Sequence, residues 1–433
     1  MSKRIIYQLL PRLWGSGKFR DIDARFLGYL RGLGVDYLYL TGIPRHASGK
    51  PFVKGDPGCP YSICDYFDTN PYLASEPGRR MEEFALLVRR VHRAGLKLLI
   101  DFVPNHVSCD YADAHGGIPV HGYCDYDWTD TLKIDYAHPD TIARMSEVLK
   151  FWASRGVDGF RCDMVELVGA ERFGAMMAAA RTEYPSLLFV AEVYGRENYR
   201  SFTDAGFDLL YDKSGIYDIL RDIFFGHRGA SAITRNWQEL GDLQERMLNF
   251  LENHDEQRLC SSAYAADPGK TMALAAVAAL FNRASLMLYA GGELGESASE
   301  AADGRTSIFN WVRPSSLLAL RKYLRGASLQ EAEASLLWRW QSLLTLASSP
   351  LCRKGDNWDL NYCNVGAPGF DPERHFAFLR FDAKRCLLVF CNFSDTPASV
   401  RVHVPVRAEG DYDLSAAPWD YSVLDFNQQA DTE

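Results

Sequence analysis

Polar and charged side chains follow a short apolar run at four places in the chain. The segments are DFVPNH at 101–106, GFRCD at 159–163, AEV at 191–193 and FLENHD at 250–255. Two carboxyl groups that meet without a metal suit cleavage of a glycosidic bond, because one can protonate the leaving oxygen while the other attacks the sugar. Neither a phosphate-binding glycine loop nor a Cys/His metal cluster follows these segments. This chemistry requires a fold that brings the four segments together.

Each of these residues alone also has a common structural role. An Asp that follows a strand most often caps the next helix. An Arg two residues before an Asp usually forms a local ion pair, and a His beside an Asn usually packs a loop. These roles do not explain four polar clusters that all follow predicted strands, so we interpret the clusters as parts of one functional site.

The four segments belong to an alternation of strands and helices. Apolar residues recur at helical spacing over 26–33, 81–94 and 141–154, between short β-rich runs. Alternating units predict a parallel sheet, and eight of them predict a closed (β/α)₈ TIM barrel with its reactive groups at the carboxyl ends of the strands. A doubly wound open sheet is the alternative. The strand candidates are 5–10, 37–40, 96–102, 159–162, 187–191, 208–211, 247–250 and 285–289.

Two segments interrupt this alternation. The segment 106–130, after the third strand, is rich in Gly, His, Asp and Tyr and shows no helical pattern, so we predict a short insertion there. Near the C-terminus the pattern changes to period-two strands separated by turn residues. These strands are 376–381, 386–393 and 400–404. We therefore predict a barrel domain over 1–368 and an antiparallel β-sandwich domain over 369–433.

Composition argues against several classes of protein. Forty-seven basic residues against 56 acidic ones give a net charge of −9, unlike a dedicated nucleic-acid binder. The longest apolar run, 272–281, is too short to cross a bilayer. The N-terminal MSKRIIYQLLPRLW lacks the apolar core of a signal peptide, so we expect a cytoplasmic protein with no membrane partner. The ten cysteines show no zinc-binding spacing and are expected to be reduced thiols.

In this order, the four polar segments resemble the signature segments of the α-amylase superfamily, glycoside hydrolase family 13. The resemblance implies a TIM barrel with a short domain B-like insertion after strand three and a C-terminal domain similar to the family's domain C. It also implies an oligosaccharide as the binding partner. Further segments that resemble the family are IYQLLPRLWG at 6–15, YSICDYFDTNP at 61–71, WTDTLKIDY at 128–136 and YAGGELG at 289–295.

The resemblance assigns three acids to the chemistry. Asp163 would be the nucleophile that forms a β-glycosyl-enzyme, and Glu192 would be the general acid and then the base that activates water. Asp255 would bind sugar hydroxyls and help to distort the ring. Arg161 would keep Asp163 ionised, while neighbouring negative charges would raise the pKa of Glu192. The implied substrate-binding residues are Tyr61, His106, Arg161 and His254.

The chain also departs from the family pattern. Many starch-degrading members place a Lys-His pair after the nucleophile to hold the leaving-side sugar, whereas this chain has Glu166 and Leu167. The resemblance implies no cofactor for the chemistry. Asn105 and Asp135 match positions that often bind a structural calcium ion, and both offer oxygen ligands. The His whose backbone usually completes such a site is absent, so both outcomes stay open for calcium.

The resemblance implies a retaining hydrolase that cleaves α-1,4-glucosidic bonds of malto-oligosaccharides. An α-glucosidase or a transglycosidase of the same superfamily would use the same three acids with different acceptor sites. A non-catalytic member that serves as a scaffold or transporter partner is a third alternative, but such relatives typically lose the catalytic acids. Because the insertion is short and the Lys-His pair is absent, we expect long chains to gain little extra binding energy.

Overall fold

The computed structural model describes residues 2–111 and 117–427. Within these ranges eight parallel strands close into a barrel, which confirms the predicted TIM barrel. Around the barrel the strands follow one another in chain order. With strands and helices each numbered along the chain, the barrel strands are β1 (Ile5–Leu9), β2 (Tyr37–Leu40), β5 (Lys97–Phe102), β8 (Gly159–Cys162), β9 (Leu188–Ala191), β10 (Leu209–Tyr211), β11 (Met247–Asn249) and β12 (Ser285–Tyr289).

Helices pack against the barrel through apolar faces. In α2 the buried side chains Phe84, Leu87, Val88 and Val91 recur at helical spacing, which is the pattern that predicted this helix. The helices are α1 (Ala24–Gly32), α2 (Arg80–Arg93), α3 (Thr141–Ser154), α4 (Val165–Val168), α5 (Ala170–Arg181), α6 (Tyr199–Asp204), α7 (Asp218–Phe224), α8 (Ser231–Leu240), α9 (Met272–Leu280), α10 (Ser315–Tyr323), α11 (Glu331–Ala347) and α12 (Pro350–Lys354).

Two short antiparallel strand pairs accompany the barrel. One pair is β3 (Pro44–His46) with β4 (Ile63–Thr69), and the other is β6 (His106–Ser108) with β7 (Thr131–Lys133). The second pair joins the two ends of the insertion predicted at 106–130. No helix occurs in the described part of this insertion, and its residues 112–116 lie outside the described residues.

Antiparallel sheets form the C-terminal part of the chain. The strands are β13 (Asp356–Asp359), β14 (His375–Phe381), β15 (Arg385–Asn392) and β18 (Tyr421–Asn427) in one sheet, and β16 (Ala398–Val404) and β17 (Gly410–Ala416) in the other. A second apolar core that includes Leu388 and Val402 is formed by residues of both sheets. The division proposed at residue 369 separates β13 from the sheet in which it pairs with β14. The polar segment DNWD of β13 has no apolar alternation that would have revealed this strand.

No helix within the two described ranges is both long and apolar enough to cross a membrane. The apolar helix α9 has nine residues, and all of them are buried, so its composition reflects core packing. All ten cysteines lie within the described ranges and are free thiols.

The strand register brings the predicted acids to one end of the barrel. Asp101 in β5 lies opposite Arg161 in β8. One step further along, the N–H of Asp163 donates to a carbonyl of β5 (2.9 Å) and the N–H of Glu192 donates to a carbonyl of β8 (3.0 Å). The two carboxyl groups therefore leave adjacent strands side by side, at the end of the barrel where reactive groups lie in this fold.

Gly159 allows β8 to approach β9 closely. A Cβ at this position would lie 2.2 Å from the carbonyl oxygen of Leu188 and 2.8 Å from the side chain of Leu99. Because the nearest contact is with backbone, a larger residue must displace β8. Arg161 and Asp163 would move with that strand.

We expect Gly159→Ala to lower the free energy of unfolding by about 2–3 kcal/mol, because overpacking forces the backbone to shift. Gly28→Ala is the matched control, since a Cβ on this residue of α1 meets no atom within 4 Å. Alanine there should stabilise the helix by up to ~1 kcal/mol. Urea unfolding followed by circular dichroism measures both changes. Equal midpoints for the two variants would show that β8 tolerates a side chain at this position.

Candidate active site

Four carboxylates surround the guanidinium of Arg161 at the end of the barrel. Its Nη1 lies 2.6 Å from Asp163 Oδ1 and 3.6 Å from Asp101 Oδ1. Its Nη2 lies 2.6 Å from Glu192 Oε1 and 3.9 Å from Asp255 Oδ2. The Arg161 side chain is 1% exposed, so nearby carboxylates must balance its charge. One buried cation therefore holds these acids together.

Asp163, the predicted nucleophile, is buried and accepts a hydrogen bond from Arg161 (2.6 Å). Burial raises the pKa of its carboxyl above the usual range, and the positive charge of Arg161 opposes that rise only in part. The carboxylates of Asp101 and Asp255 raise the pKa further. Arg161 thus favours the ionised form of Asp163, as expected from the sequence, but the cost of desolvation is the larger effect on this pKa.

Glu192, the predicted acid and base, has a hydrogen-bond partner on each carboxyl oxygen. The backbone N–H of Met164 donates to Oε2 and the hydroxyl of Tyr194 donates to Oε1, both at 2.8 Å. Burial raises the pKa of Glu192 to about 7; Arg161 lowers this pKa, and the two neighbouring aspartates raise it. A carboxyl group with this pKa can hold and release a proton near neutral pH.

His254 connects Asp255 to the first barrel strand. Its Nε2 lies 3.0 Å from Asp255 Oδ2, and its Nδ1 lies 2.7 Å from the side-chain amide of Gln8. Burial alone would raise the pKa of Asp255, but the charge and hydrogen bond of His254 hold it below the usual range. Burial likewise opposes protonation of His254, but Asp255 raises its pKa. The ring of Tyr61 stacks on His254, with 5.4 Å between ring centroids, and its hydroxyl contacts Nε2.

His106 contributes an uncharged imidazole to the same cleft. Burial lowers its pKa to about 4, so the ring is neutral near pH 7 and can donate one hydrogen bond and accept another. The ring lies 5.2 Å from that of Trp128, which lies 5.0 Å from the ring of Tyr126. Neutral hydrogen-bonding groups beside aromatic faces suit a ligand with hydroxyls and apolar faces.

The carboxyl groups of Asp163, Glu192 and Asp255 line a cavity of about 220 Å³. Five of the predicted site residues line it: Tyr61, His106, Asp163, Glu192 and Asp255. Arg161 and His254, which were predicted to bind substrate, are fully buried behind these lining residues. They can therefore shape the site through the side chains that they contact.

Other lining residues were not identified from the sequence. They are Lys54, Cys59, Trp128, Asp130, Thr131, Met164, Tyr194, Ile308 and Phe309. The segment WTDTLKIDY already contained Trp128, Asp130 and Thr131, and Tyr194 follows Glu192 by two residues, so these four had a usable signal. Lys54 and Phe309 belong to loops without a recognisable motif.

The proposed calcium ligands Asn105 and Asp135 contact different partners. The Asn105 amide donates to Asp125 Oδ2 (2.9 Å), and the other oxygen of Asp125 lies 2.7 Å from Lys133 Nζ. The Asp135 carboxylate accepts a backbone N–H (2.8 Å) and lies 3.4 Å from His121 Nε2. The described residues contain no group of three or more His, Cys, Asp or Glu side chains placed to hold a metal. The Lys133 ammonium therefore supplies positive charge beside Asn105, where the sequence suggested a calcium ligand.

The arrangement of Asp163 and Glu192 determines what chemistry the site can perform. Each contacts a different nitrogen of the same guanidinium, so their separation is limited to the width of that group and its two contacts. This limit keeps the two carboxyl groups close enough to act on the same bond.

Comparisons with known proteins show which family this chain resembles over most of its length. The family described as "Alpha amylase, catalytic domain" matches residues 15–126 and 120–311, which include Asp163, Glu192 and Asp255. Alpha-amylase 2 of Dictyoglomus thermophilum is 24% identical over 301 residues, 64% of this chain and 50% of that protein. The amino acid transporter heavy chain SLC3A1 of Homo sapiens is 25% identical over 265 residues, 50% of this chain and 35% of that protein. The chain thus spans half or less of the length of these two relatives.

A solved structure supports the same fold. The crystal structure of an alpha-amylase from Lactobacillus plantarum aligns with a TM-score of 0.72 at 21% identity, over 98% of each chain. At this identity the likeness establishes the fold alone. The family assignment comes from the match over most of the chain, which includes the barrel segments that meet at Arg161. By that match, this chain belongs to the alpha-amylase family.

Proposed function

We propose that the chain is a retaining glycoside hydrolase that cleaves α-1,4-glucosidic bonds of malto-oligosaccharides. The observation that carries the proposal is the pairing of Asp163 and Glu192 on one buried guanidinium, with the pKa of Glu192 at about 7. This pairing suits a reaction in which one carboxylate attacks the sugar while the neighbouring carboxyl group still holds a proton. Membership of the alpha-amylase family supports an α-glucan as the substrate.

The proposed reaction has two steps. First, an oxygen of Asp163 forms a bond to the anomeric carbon, the bond to the leaving oxygen breaks, and Glu192 gives its proton to that oxygen. Then the ionised Glu192 takes a proton from water, whose oxygen bonds to the anomeric carbon and releases Asp163. Asp255, with its lowered pKa, stays ionised and accepts hydrogen bonds from sugar hydroxyls.

An α-glucosidase or transglycosidase of the same family is the second candidate, and the small cavity favours it over an enzyme for long chains. A non-catalytic role is the third, given the similarity to a transporter heavy chain. The presence of Asp163, Glu192 and Asp255 around Arg161 favours catalysis. We also propose a cytoplasmic location, because all ten cysteines are free thiols.

Asp163→Asn and Glu192→Gln should each lower kcat on maltotriose by several orders of magnitude, because each removes a group that reacts. Both changes preserve side-chain shape and leave three carboxylates around Arg161, so we expect the melting temperature to change little. Product release measured by chromatography, with thermal unfolding in parallel, tests this expectation. Glu197→Gln, at an exposed position, is the control and should keep full activity. Near-normal turnover in either active-site variant would remove that residue from the proposed reaction.

Arg161→Met should move both limbs of the pH–rate profile to higher pH. Arg161 lowers the pKa of Asp163 and of Glu192, so its loss raises both. The acidic limb then reports ionisation of the nucleophile, and the basic limb reports deprotonation of the acid. Values of kcat/KM on a chromogenic maltoside across the pH range measure both limbs. Arg200→Met, which breaks an exposed pair with Asp242, is the control. Unchanged limbs would restrict Arg161 to a structural role.

We expect kcat/KM to rise little beyond roughly four to six glucose units, because we infer few sugar contacts beyond the bond that is cleaved. The cavity of about 220 Å³ encloses little of a chain, and Glu166 and Leu167 stand where a Lys-His pair would hold the leaving side. Rates on maltose through maltoheptaose and on soluble amylose test this expectation. An increase in kcat/KM of about tenfold or more from maltohexaose to amylose would contradict this expectation. It would indicate additional sugar sites beyond the cleaved bond.

We propose that the fold does not depend on calcium, because the Lys133 ammonium pairs with Asp125 beside Asn105. Treatment with EDTA should change the melting temperature by less than about 1 °C, since no bound ligand is lost. Lys133→Met should lower the melting temperature with or without EDTA. A fall in melting temperature after EDTA that added calcium reverses would contradict this expectation.

A further inference from the structure

Glu166 lies in α4, just after β8, and its carboxylate points to the loop that follows β9. Oε2 accepts the backbone N–H of Tyr194 (3.0 Å). Oε1 accepts the backbone N–H of Gly195 (3.0 Å) and the amide of Asn198 (2.6 Å). Glu166 is not among the described residues that line the active-site cavity. Its carboxylate therefore binds protein backbone at the position where many starch-degrading members have a Lys-His pair that holds a sugar.

Tyr194, whose backbone Glu166 holds, is also the hydroxyl donor to Glu192. Its Oη donates to Glu192 Oε1 at 2.8 Å, while the N–H of Met164 donates to Oε2. The N–H of Val165 donates to the backbone carbonyl of Glu192 (3.3 Å). Three successive residues after the nucleophile thus join the loop after β8 to the loop after β9.

We propose that Glu166 is a positioning residue that holds the Tyr194 backbone so that the Tyr194 hydroxyl donates to the acid Glu192. The proposal rests on the proposed function only in naming Glu192 as the acid. A hydrogen bond from Tyr194 stabilises the ionised carboxylate more than the protonated form. It also restricts the orientation of the carboxyl group, which must reach the leaving oxygen.

The contacts explain why a carboxylate occupies this position. Three N–H groups converge on two oxygens, and Gln offers only one acceptor oxygen, so Glu166→Gln keeps the shape but loses at least one hydrogen bond. A Cβ on Gly195 would lie 2.7 Å from Glu166 Oε1. The absence of that side chain lets the carboxylate approach the backbone.

The direction of the pKa change distinguishes positioning from simple charge. Loss of the negative charge of Glu166 would by itself lower the pKa of Glu192, whereas loss of the Tyr194 hydrogen bond raises it. A substitution at Glu166 leaves the other groups that face Glu192 in place. Those groups are Arg161 and Asp163 from β8 and its end, His106 after β5, Tyr211 in β10 and Asp255 after β11.

NMR of the full chain labelled with [¹³Cζ]tyrosine tests the proposal without requiring turnover. The Tyr194 resonance is the one that disappears in Tyr194→Phe. In the unmodified protein we expect it to titrate with Glu192, with a midpoint near the pKa of about 7. In Glu166→Gln we expect the amplitude of this titration to fall by about half or more and the midpoint of what remains to rise, because the hydroxyl leaves Glu192.

Glu197→Gln is the matched control, since it removes an exposed carboxylate from the same turn and should leave the titration unchanged. We also expect Glu166→Gln to lower kcat on maltotriose about tenfold or more with KM little changed, as a misplaced acid would. The positioning role is wrong if the Tyr194 resonance of Glu166→Gln titrates with unchanged amplitude. This holds whether the midpoint of that titration stays the same or falls. It is equally wrong if Tyr194 does not titrate in the unmodified protein. The expected titrations without any hydrolysis by the unmodified protein would contradict the proposed function and leave the positioning role standing.

Discussion

A single buried guanidinium sets the arrangement at the carboxyl end of the barrel. Transfer of an unpaired Arg161 charge from water to this site would cost several kcal/mol, so the folded state must surround it with carboxylates. Those partners come from the ends of β5, β8 and β9 and from the segment after β11. The same contacts therefore stabilise the end of the barrel and fix the spacing of the acids that would react.

Different charged neighbours also give these acids different pKa values. Asp163 and Glu192 both have raised pKa values because desolvation outweighs the attraction to Arg161. The pKa of Asp255 is lowered because the charge and hydrogen bond of His254 outweigh the cost of desolvation. Neighbouring carboxyl groups in different environments can hold different protonation states at one pH, which is what a reaction with one attacking acid and one proton donor requires.

The barrel was predictable from sequence because strands buried on both faces appear as continuous apolar runs, and polar segments at their ends must meet in a closed parallel sheet. The part of the cavity wall that comes from distant loops was not predictable from sequence. Lys54, for example, lies 3.3 Å from Asp130, and this contact between distant loops leaves no local pattern. The sequence showed that Glu166 replaces part of a Lys-His pair, but not that its carboxylate accepts backbone N–H groups of the loop after β9. The short strand β13 was missed because its residues are polar and its pairing with β14 is a tertiary contact.

The central claim is that Asp163, paired with Arg161 beside Glu192, forms a covalent bond to the sugar. Incubation with 5-fluoro-α-D-glucosyl fluoride, which slows release of a glycosyl-enzyme, followed by peptide mapping by mass spectrometry, tests this claim directly. We expect one fluoroglucosyl group per chain, attached to the peptide that contains Asp163 and absent from the Asp163→Asn variant. Attachment to a different carboxylate, or substrate turnover with no adduct on Asp163, would contradict it.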